Sequence, residues 1–181
     1  MALIVGIDNG VTGAIAVVRN RILLNLVATP VTKSLDYQSS VERHIHRVDV
    51  TKLAEIFQEH TKTNDPVLVF LERPMITAVR FSASISAARS FEATLIVLEG
   101  LQLNYKIVSS SYWQCNLTKE ELDYGTKAAK KSLHKRKLVK EDNKQVYAEI
   151  AKKLYPNWTK EITNVNADAV LLATIASQKY S

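Results

Sequence analysis

The chain has 181 residues, a formal net charge of +6 at neutral pH and hydrophobic side chains at 46% of its positions, which predicts one ordered domain spanning residues 1–181. Its single cysteine, Cys115, predicted to be a packed small residue, excludes an intrachain disulfide and a cysteine-rich zinc cluster, and its apolar runs are shorter than the ~20 residues of a membrane-spanning helix, so we predict a cytoplasmic protein without membrane contact. The positive charge favours a polyanionic partner, although charge alone does not separate nucleic acid from an anionic membrane surface.

The first apolar segments predict two buried strands joined by a tight turn. Leu3–Ile7 is a continuous apolar run that ends at Asp8, and Gly10 and Gly13 lead into a second run, Ala14–Val18. A carboxylate at the end of a buried strand is costly unless a cation meets it. Asp8 is therefore either a hydrogen-bonded turn residue or a metal ligand, and further acids are needed to favour the second.

A third apolar run, Arg21–Ala28, follows a polar tip, so the first three strands should form an antiparallel meander. Residues 29–48 are polar and without a clear period, which predicts a loop that could contact a ligand. His44 and His46 in this segment suggest a phosphate contact or a metal pair. A solvated basic edge is the better interpretation, because no further metal ligands flank them.

A second strand also ends in a carboxylate. Asp49 is a good N-cap for an amphipathic helix, and the apolar run Val67–Leu71 that follows this helix stops at Glu72. Glu72 could form a surface pair with Arg73. The presence of Asp8 favours a shared metal site instead, because neighbouring strand ends would bring the two acids together.

A helix and a short strand are predicted next. Residues 82–98 combine small and large apolar side chains in a way that suits close packing on a sheet, and Gly100 should end this helix. Tyr105–Val108 predicts a fifth strand, and residues 109–114 a loop. Trp113 in this loop could stack on a base, although packing at the rim of the core is the commoner role.

The most basic segment is residues 127–140, which contain seven Lys or Arg and one His. A solvated face or a loop would explain it, but such a concentration of charge is typical of a surface that follows a phosphate backbone. Residues 141–155 should then form a helix that Pro156 ends. We predict nucleic-acid contacts from Lys127, Lys130, Lys131, His134, Lys135, Arg136, Lys137 and Arg80.

The last predicted helix carries a third acid. Residues 164–177 show an apolar helical stripe, in which Asp168 lies one turn after Asn164 on the same predicted face. Asp168 either interacts with the helix N-terminus or completes a cluster with Asp8 and Glu72. Three oxygen ligands suit Mg²⁺ or Mn²⁺ rather than zinc, and two such ions can act on the two sides of a phosphodiester during hydrolysis.

Four sequence motifs resemble the RuvC-type Holliday junction resolvases, especially the short phage and bacterial versions. They are GIDNGVTGAIA at Gly6–Ala16, VFLERP at Val69–Pro74, RSFEATLIVLEGL at Arg89–Leu101 and NADAVLLA at Asn166–Ala173. The resemblance implies an α/β fold of the ribonuclease H-like type, with a five-stranded mixed sheet whose first three strands are antiparallel, flanked by helices. It also implies a homodimer that uses magnesium, or manganese in its place, to make paired nicks in four-way DNA junctions.

The resemblance also implies roles for individual residues. Three positions match the family's catalytic, metal-binding acids: Asp8, Glu72 and Asp168. The family usually has another acid or a histidine three or four residues before the last aspartate, where this chain has Val165 and Asn164. Asn164 can still ligate through its carbonyl oxygen, but it should weaken a second cation site. A residue shortly after the second acid, Met75 or Phe81, would wedge into the junction centre.

Three other functions compete with this one. A junction-binding protein without nuclease activity would explain Asn164. An actin-like or sugar-kinase ATPase also opens with an Asp-x-Gly-x-Thr turn, but it needs a second domain and another glycine-rich phosphate loop, for which five glycines and 181 residues are too few. An RNA-cutting enzyme of the same fold is the remaining alternative.

Overall fold

The structure is a computed structural model that describes residues 2–36, 43–62, 65–133 and 143–180. Short 3₁₀ helices, Ala78–Arg80 and Pro156–Trp158, accompany the main elements. In chain order these are β1 Leu3–Asp8, β2 Ala14–Arg19, β3 Ile22–Ala28, β4 Val31–Leu35, β5 His44–Val48, α1 Val50–Thr61, β6 Val67–Glu72, α2 Phe81–Gly100, β7 Asn104–Val108, α3 Ser111–Gln114, α4 Lys119–Leu133, α5 Asn143–Leu154 and α6 Ala167–Tyr180.

The main sheet has five strands in the order β3-β2-β1-β6-β7. β1, β2 and β3 pair antiparallel, whereas β6 is parallel to β1 and β7 is parallel to β6. β1 lies at the centre, and its residues 3–7 are buried because helices cover both faces of the sheet. The predicted α/β fold class and mixed five-stranded sheet are confirmed.

Two apolar layers lie on opposite faces of this sheet. Even-numbered residues of β1 and β6, such as Ile4 and Phe70, pack against α5 and α6. Odd-numbered residues, such as Val5 and Val69, pack in the other layer with residues of α1 and α2. This alternation assigns each strand residue to one face, and it therefore determines on which side the residues at the strand ends project.

Gly6 in the middle of β1 lets α6 lie directly on the sheet. A Cβ atom at this position would be 2.6 Å from the backbone oxygen of Ala169 and 2.7 Å from the backbone nitrogen of Ala173. Both contacts are with helix backbone, which cannot rotate away as a side-chain tip would. The missing side chain therefore fixes the distance at which the N-terminal half of α6 passes β1.

We expect Gly6→Ala to destabilise the protein by about 1–3 kcal/mol, because α6 must move away from the sheet to admit the methyl group. Urea unfolding would measure the loss. Gly100→Ala is the matched control, since a Cβ at Gly100 in α2 meets nothing within 4 Å. This control should raise stability by up to about 1 kcal/mol, and equal effects of the two substitutions would contradict the close-packing argument.

The prediction of a loop at residues 29–48 is wrong for the described part of this segment. β4 and β5 form an antiparallel two-stranded sheet with Val31 opposite Val48 and Lys33 opposite His46. Most side chains of this hairpin are exposed, His44 and His46 among them, so the sequence shows no apolar alternation from which strands could be predicted.

The region after β7 also differs from the predictions. The segment predicted as a loop at residues 109–114 contains the short helix α3, and Cys115, predicted to be packed, is exposed. α4 was not predicted, because its apolar positions are few. It packs on α5 at Gly125, where a Cβ would be 2.7 Å from the backbone oxygen of Val146, and it buries Ala129.

Ala78–Gly100, which includes α2, is the one span in the described ranges that is long and apolar enough to cross a membrane by length and composition. The expectation that apolar segments are too short for this is therefore wrong on that criterion. In the structure the helix buries Thr94, Val97 and Leu98 and belongs to the core layer beneath the sheet, as helices of α/β domains commonly do.

Candidate functional site

Two acids lie side by side at the carboxyl edge of the parallel strands. Asp8 is the last residue of β1 and Glu72 is the last residue of β6. The parallel register pairs Ile7 with Leu71, so the next residue of each strand reaches the same level of the sheet. Asp8 lies two residues after Gly6 in β1, and Glu72 lies two residues after Phe70, the partner of Gly6, in β6. Residues two apart in a strand lie on the same face, so both acids lie on the face covered by α6.

Asp168 joins these acids from the helix layer. It lies in the first turn of α6, whose next residue, Ala169, is in contact range of a Cβ built on Gly6. The negative charge of Asp168 raises the pKa values of both Asp8 and Glu72. The structure thus brings the three acids predicted from the sequence to one end of the sheet.

The surroundings of Asp8 raise the pKa of its carboxyl, so this carboxyl stays protonated at pH values at which an ordinary aspartate is ionised. Burial is the main cause that raises its pKa, from an ordinary 3.8 to about 7, and the charges of Asp168 and Glu72 add to it. Burial also raises the pKa of Glu72. Buried carboxylates that repel one another favour binding of a cation, because the cation's charge offsets the repulsion between them.

The turn after β1 positions Asp8. Gly10 has a φ of +144°, a backbone conformation that residues other than glycine rarely adopt. A Cβ at Gly13 would overlap the backbone oxygen of Asp8, so only glycine lets β2 start this close to the end of β1. The Asn9 side chain, on the opposite face, donates a 3.0 Å hydrogen bond from Nδ2 to the backbone oxygen of Ala87 in α2.

Trp113 is a site residue whose role the sequence did not reveal. Its indole is 1% exposed, and its Nε1–H donates to Oε2 of Glu72 across 3.4 Å. This hydrogen bond lowers the pKa of Glu72 and so opposes the effect of burial. An edge-to-face contact with Tyr147, at 4.8 Å between ring centroids, holds the indole. Neither a base-stacking role nor a place at the rim of the core describes it.

Replacing Trp113 by Phe should raise the pKa of Glu72, because the ionised carboxylate loses its donor. NMR titration of the labelled glutamate carboxyl would measure this, and the smaller ring should also cost about 1–3 kcal/mol of stability. Trp158→Phe, at the other tryptophan and half-buried on the same core layer, should leave the Glu72 titration unchanged. A Glu72 pKa that does not move in Trp113→Phe would remove Trp113 from the site.

Lys144 is the second residue that sequence reasoning missed. It lies in the first turn of α5, and its positive charge lowers the pKa values of Asp8 and Glu72. A lysine at the start of a surface helix has no sequence signature of a site residue. The fold of α5 against α6 is what brings its charge to the acids.

The prediction that Asn164 and Asp168 share a helical face is wrong. α6 begins at Ala167, and Asn164 lies in the preceding turn with its side chain exposed. The polar residue that shapes this turn is Asn166, which accepts from the Thr163 backbone N–H at 2.8 Å and donates to the Glu161 oxygen at 2.9 Å. These hydrogen bonds end the irregular segment and start α6 just before Asp168.

The donor set of the three acids fits a hard divalent cation. Asp8, Glu72 and Asp168 offer only carboxylate oxygens, which Mg²⁺ and Mn²⁺ prefer. Across the described residues, no three His, Cys, Asp or Glu side chains are placed to hold one ion together.

The predicted nucleic-acid contacts are divided between two places. Lys127, Lys130 and Lys131 are exposed on the C-terminal half of α4, and Arg80 is exposed before α2. Met75 and Phe81, the predicted wedge residues, flank Arg80 and are 80% and 68% exposed. The remaining predicted contacts lie outside the described residues: His134, Lys135, Arg136 and Lys137.

The fold is similar to that of a solved structure of RuvC. T. thermophilus RuvC in complex with a Holliday junction substrate matches with a TM-score of 0.54 and 11% identity, over 99% of this chain and 96% of that chain. The chain has a RuvC-like fold. A structure of Thermus thermophilus RuvC without that description matches with a TM-score of 0.49 and 12% identity, over 98% and 95% of the two chains.

No protein-family model matches the sequence, and no curated protein does. The RuvC-like fold confirms the resemblance inferred from the four motifs. At this level of identity the similarity establishes the fold alone, so the chemistry of this RuvC-like chain has to be argued from its own residues.

Proposed function

We propose that this protein is a structure-selective DNA endonuclease that resolves four-way junctions by metal-dependent hydrolysis of phosphodiesters. The observation that supports this most directly is the convergence of Asp8, Glu72 and Asp168 on a RuvC-like fold, with the pKa of Asp8 raised to about 7 by burial and by the two other acids. The whole chain would act as one cytoplasmic nuclease domain.

In this proposal Asp8, Glu72 and Asp168 hold Mg²⁺ or Mn²⁺, with two ions per site. The cations would activate water and neutralise the leaving oxygen. The chain supplies the geometry: Trp113 orients Glu72 by its indole N–H, and the turn after β1 keeps Asp8 at the sheet edge. Lys144 adds a positive charge that limits the repulsion between the acids.

DNA binding would rest on phosphate contacts from the exposed lysines of α4. Lys127 and Lys131 lie one turn apart on this helix, which leads into the remaining basic residues at 134–137. A row of lysines on one helix follows a phosphate backbone without reading sequence. Such contacts account for affinity, and the acids account for cutting.

Neutralising two of these lysines, as Lys127→Gln with Lys131→Gln, should weaken junction binding about tenfold and reduce the slope of log affinity against log salt by about 2. Fluorescence anisotropy over a salt series would measure both. Lys52→Gln with Lys62→Gln makes the same charge change on α1 and at the residue that follows it, and should leave the slope unchanged. A slope that falls equally in both double variants would show that net charge, not this surface, is responsible.

A homodimer forms part of the proposal, and an exposed apolar surface supports it. Met75 and Val79 before α2, Phe81 at its start and Ile96 in its C-terminal half are between 59% and 95% exposed. Large exposed apolar side chains favour a protein contact over solvent. Met75 or Phe81 would also be placed to enter the junction centre between two protomers.

The function is tested by incubating the protein with a synthetic four-way junction, an RNA–DNA hybrid and linear duplex DNA in Mg²⁺ or Mn²⁺. We expect paired nicks in the junction and little cutting of the other two substrates. Preferred cutting of the hybrid would favour the RNA-cutting alternative. Nucleotide-dependent thermal stabilisation without any cutting would favour the ATPase alternative.

Binding without cutting is a second candidate, favoured by one observation on this chain. Asn164 stands where the family has a fourth acid or a histidine, and it is exposed outside α6. A junction that is bound in both EDTA and Mg²⁺ and never nicked, by a protein whose stability does not respond to divalent cations, would support this candidate.

A further inference from the structure

A cleft beside the three acids has no part in the hydrolysis proposed above. It lies between the turn after β1, the adjoining ends of β2 and β3, and the turn before α6, and its volume is about 360 Å³. This is the size range of pockets that hold small organic groups, roughly 300–1,000 Å³. Its walls include Val11, Thr12, Ala14, Ala28, Thr163 and Val165.

The cleft adjoins the acids through the backbone at two places. Ala14 pairs with Asp8 in the register of β1 and β2. Asn166, also in the wall, precedes Asp168 by two residues. A DNA strand whose phosphate lies at the acids would therefore carry its neighbouring nucleotide past this cleft.

The chemistry of the walls indicates which part of a nucleotide fits. No charged side chain contributes to the wall within the described ranges, so the cleft offers nothing to balance a phosphate. Val11, Ala28 and Val165 present apolar groups, and Val165 is 49% exposed. The hydroxyls of Thr12 and Thr163 are the polar groups that could meet a hydrogen-bonding edge. Apolar faces with a polar edge describe a nucleobase.

The turn that forms one wall is held by its own hydrogen bonds. Both polar atoms of the Asn166 side chain are used, one with the Thr163 N–H and one with the Glu161 oxygen. On the opposite wall, Thr29 N–H donates to the Gly13 oxygen at 2.9 Å and ties the end of β3 to the turn after β1. Hydrogen-bonded backbone thus borders the cleft on both sides. This favours binding, because the walls lose little conformational freedom when a ligand binds.

We propose that this cleft binds one unstacked nucleobase, that of the nucleotide next to the phosphate to be cut, and so gives the protein a sequence preference. The proposal rests on the proposed function for the position of the DNA strand. It assigns sequence selection to the walls of the cleft, whereas the lysines of α4 bind any sequence.

The test fills the cleft by substitution and measures both the unstacking of a base and the cutting of the junction. Ala28→Phe places a ring at the mouth, where Ala28 is exposed at the end of β3, and Val165→Phe is a second filling variant on the opposite wall. Leu24→Phe on β3, exposed and outside the walls of the cleft, is the control. Junctions carrying 2-aminopurine at single positions near the crossover report, in EDTA, which base is unstacked.

For the unmodified protein we expect a fluorescence rise at one position, kept in Leu24→Phe and lost in both filling variants. In Mg²⁺, cutting of a junction library randomised near the crossover should show a preference of about tenfold at that position, reduced to about onefold when the cleft is filled. Fluorescence and preference that both survive filling, or no responsive position, would overturn the cleft while cutting stands. A cleft-dependent fluorescence rise without any cutting would support the cleft and reject the nuclease.

Discussion

Asp8→Asn should abolish junction cutting, by a factor of about 10³ or more, while junction affinity changes by no more than about twofold. The substitution keeps the shape of the side chain and removes the charge with which Asp8 would hold a cation between β1 and α6. Affinity should persist because the basic surface of α4 does not involve this carboxyl. Cutting is measured by single-turnover nicking of a labelled junction, and affinity by anisotropy in EDTA.

The control for this experiment is Glu55→Gln, which removes one carboxylate from the exposed face of α1. It should cut and bind as the unmodified protein does. Full cutting by Asp8→Asn would reject the assignment of the three acids. Loss of binding together with cutting would show instead that the substitution had disturbed the fold or that the acids take part in DNA binding through their cations.

The same substitution should make the metal-free protein more stable at neutral and alkaline pH. The pKa of Asp8 is about 7 in the folded protein and 3.8 ordinarily, so between these values the folded form keeps a proton that the unfolded chain releases. Folding stability therefore falls as pH rises through this window. At ~1.4 kcal/mol per pKa unit the difference sets a limit of about 4 kcal/mol, and we expect Asp8→Asn to gain about 2–4 kcal/mol at pH 8.

Urea unfolding in EDTA at pH 4.5 and pH 8 would measure this gain. The free energies of unfolding of the two proteins should differ by no more than about 1 kcal/mol at pH 4.5 and by about 2–4 kcal/mol at pH 8. Adding Mg²⁺ at pH 8 should stabilise the unmodified protein and leave Asp8→Asn nearly unchanged. An Asp8→Asn variant that is no more stable than the unmodified protein at pH 8 would contradict the strained environment assigned to Asp8.

The central elements could be predicted because their signals are local. Leu3–Ile7 and Val67–Leu71 are uninterrupted apolar runs, and each ends in a single carboxylate. Such runs predict buried strands whatever surrounds them, and a single acid after an apolar run is easily recognised in the sequence. The same reasoning failed for β4 and β5, since most side chains of this hairpin are exposed and its sequence has no apolar period.

The sequence predicted the three acids of the candidate site, and it did not predict the residues that surround them. Trp113 and Lys144 act on Glu72 and Asp8 through side chains that arrive from α3 and α5. Nothing in their neighbourhood along the chain distinguishes them from an ordinary core tryptophan or a surface lysine. The exposed position of Asn164 depends in turn on where α6 begins, and the hydrogen bonds of Asn166 set that point.

By itself the sequence determined the buried strands, the position of the three acids along the chain and the concentration of basic residues before α5, because composition and period along the chain are enough for each. The arrangement of the strands in one mixed sheet followed only from the resemblance to a known family. Only the tertiary structure decided that α6 crosses β1 at Gly6 and that Trp113 hydrogen-bonds Glu72. It also decided that a cleft adjoins Asp8 at the ends of β2 and β3. These features depend on contacts between residues far apart in the chain. The distance between two packed elements is set by how their side chains fit together, and a local sequence pattern does not predict that distance.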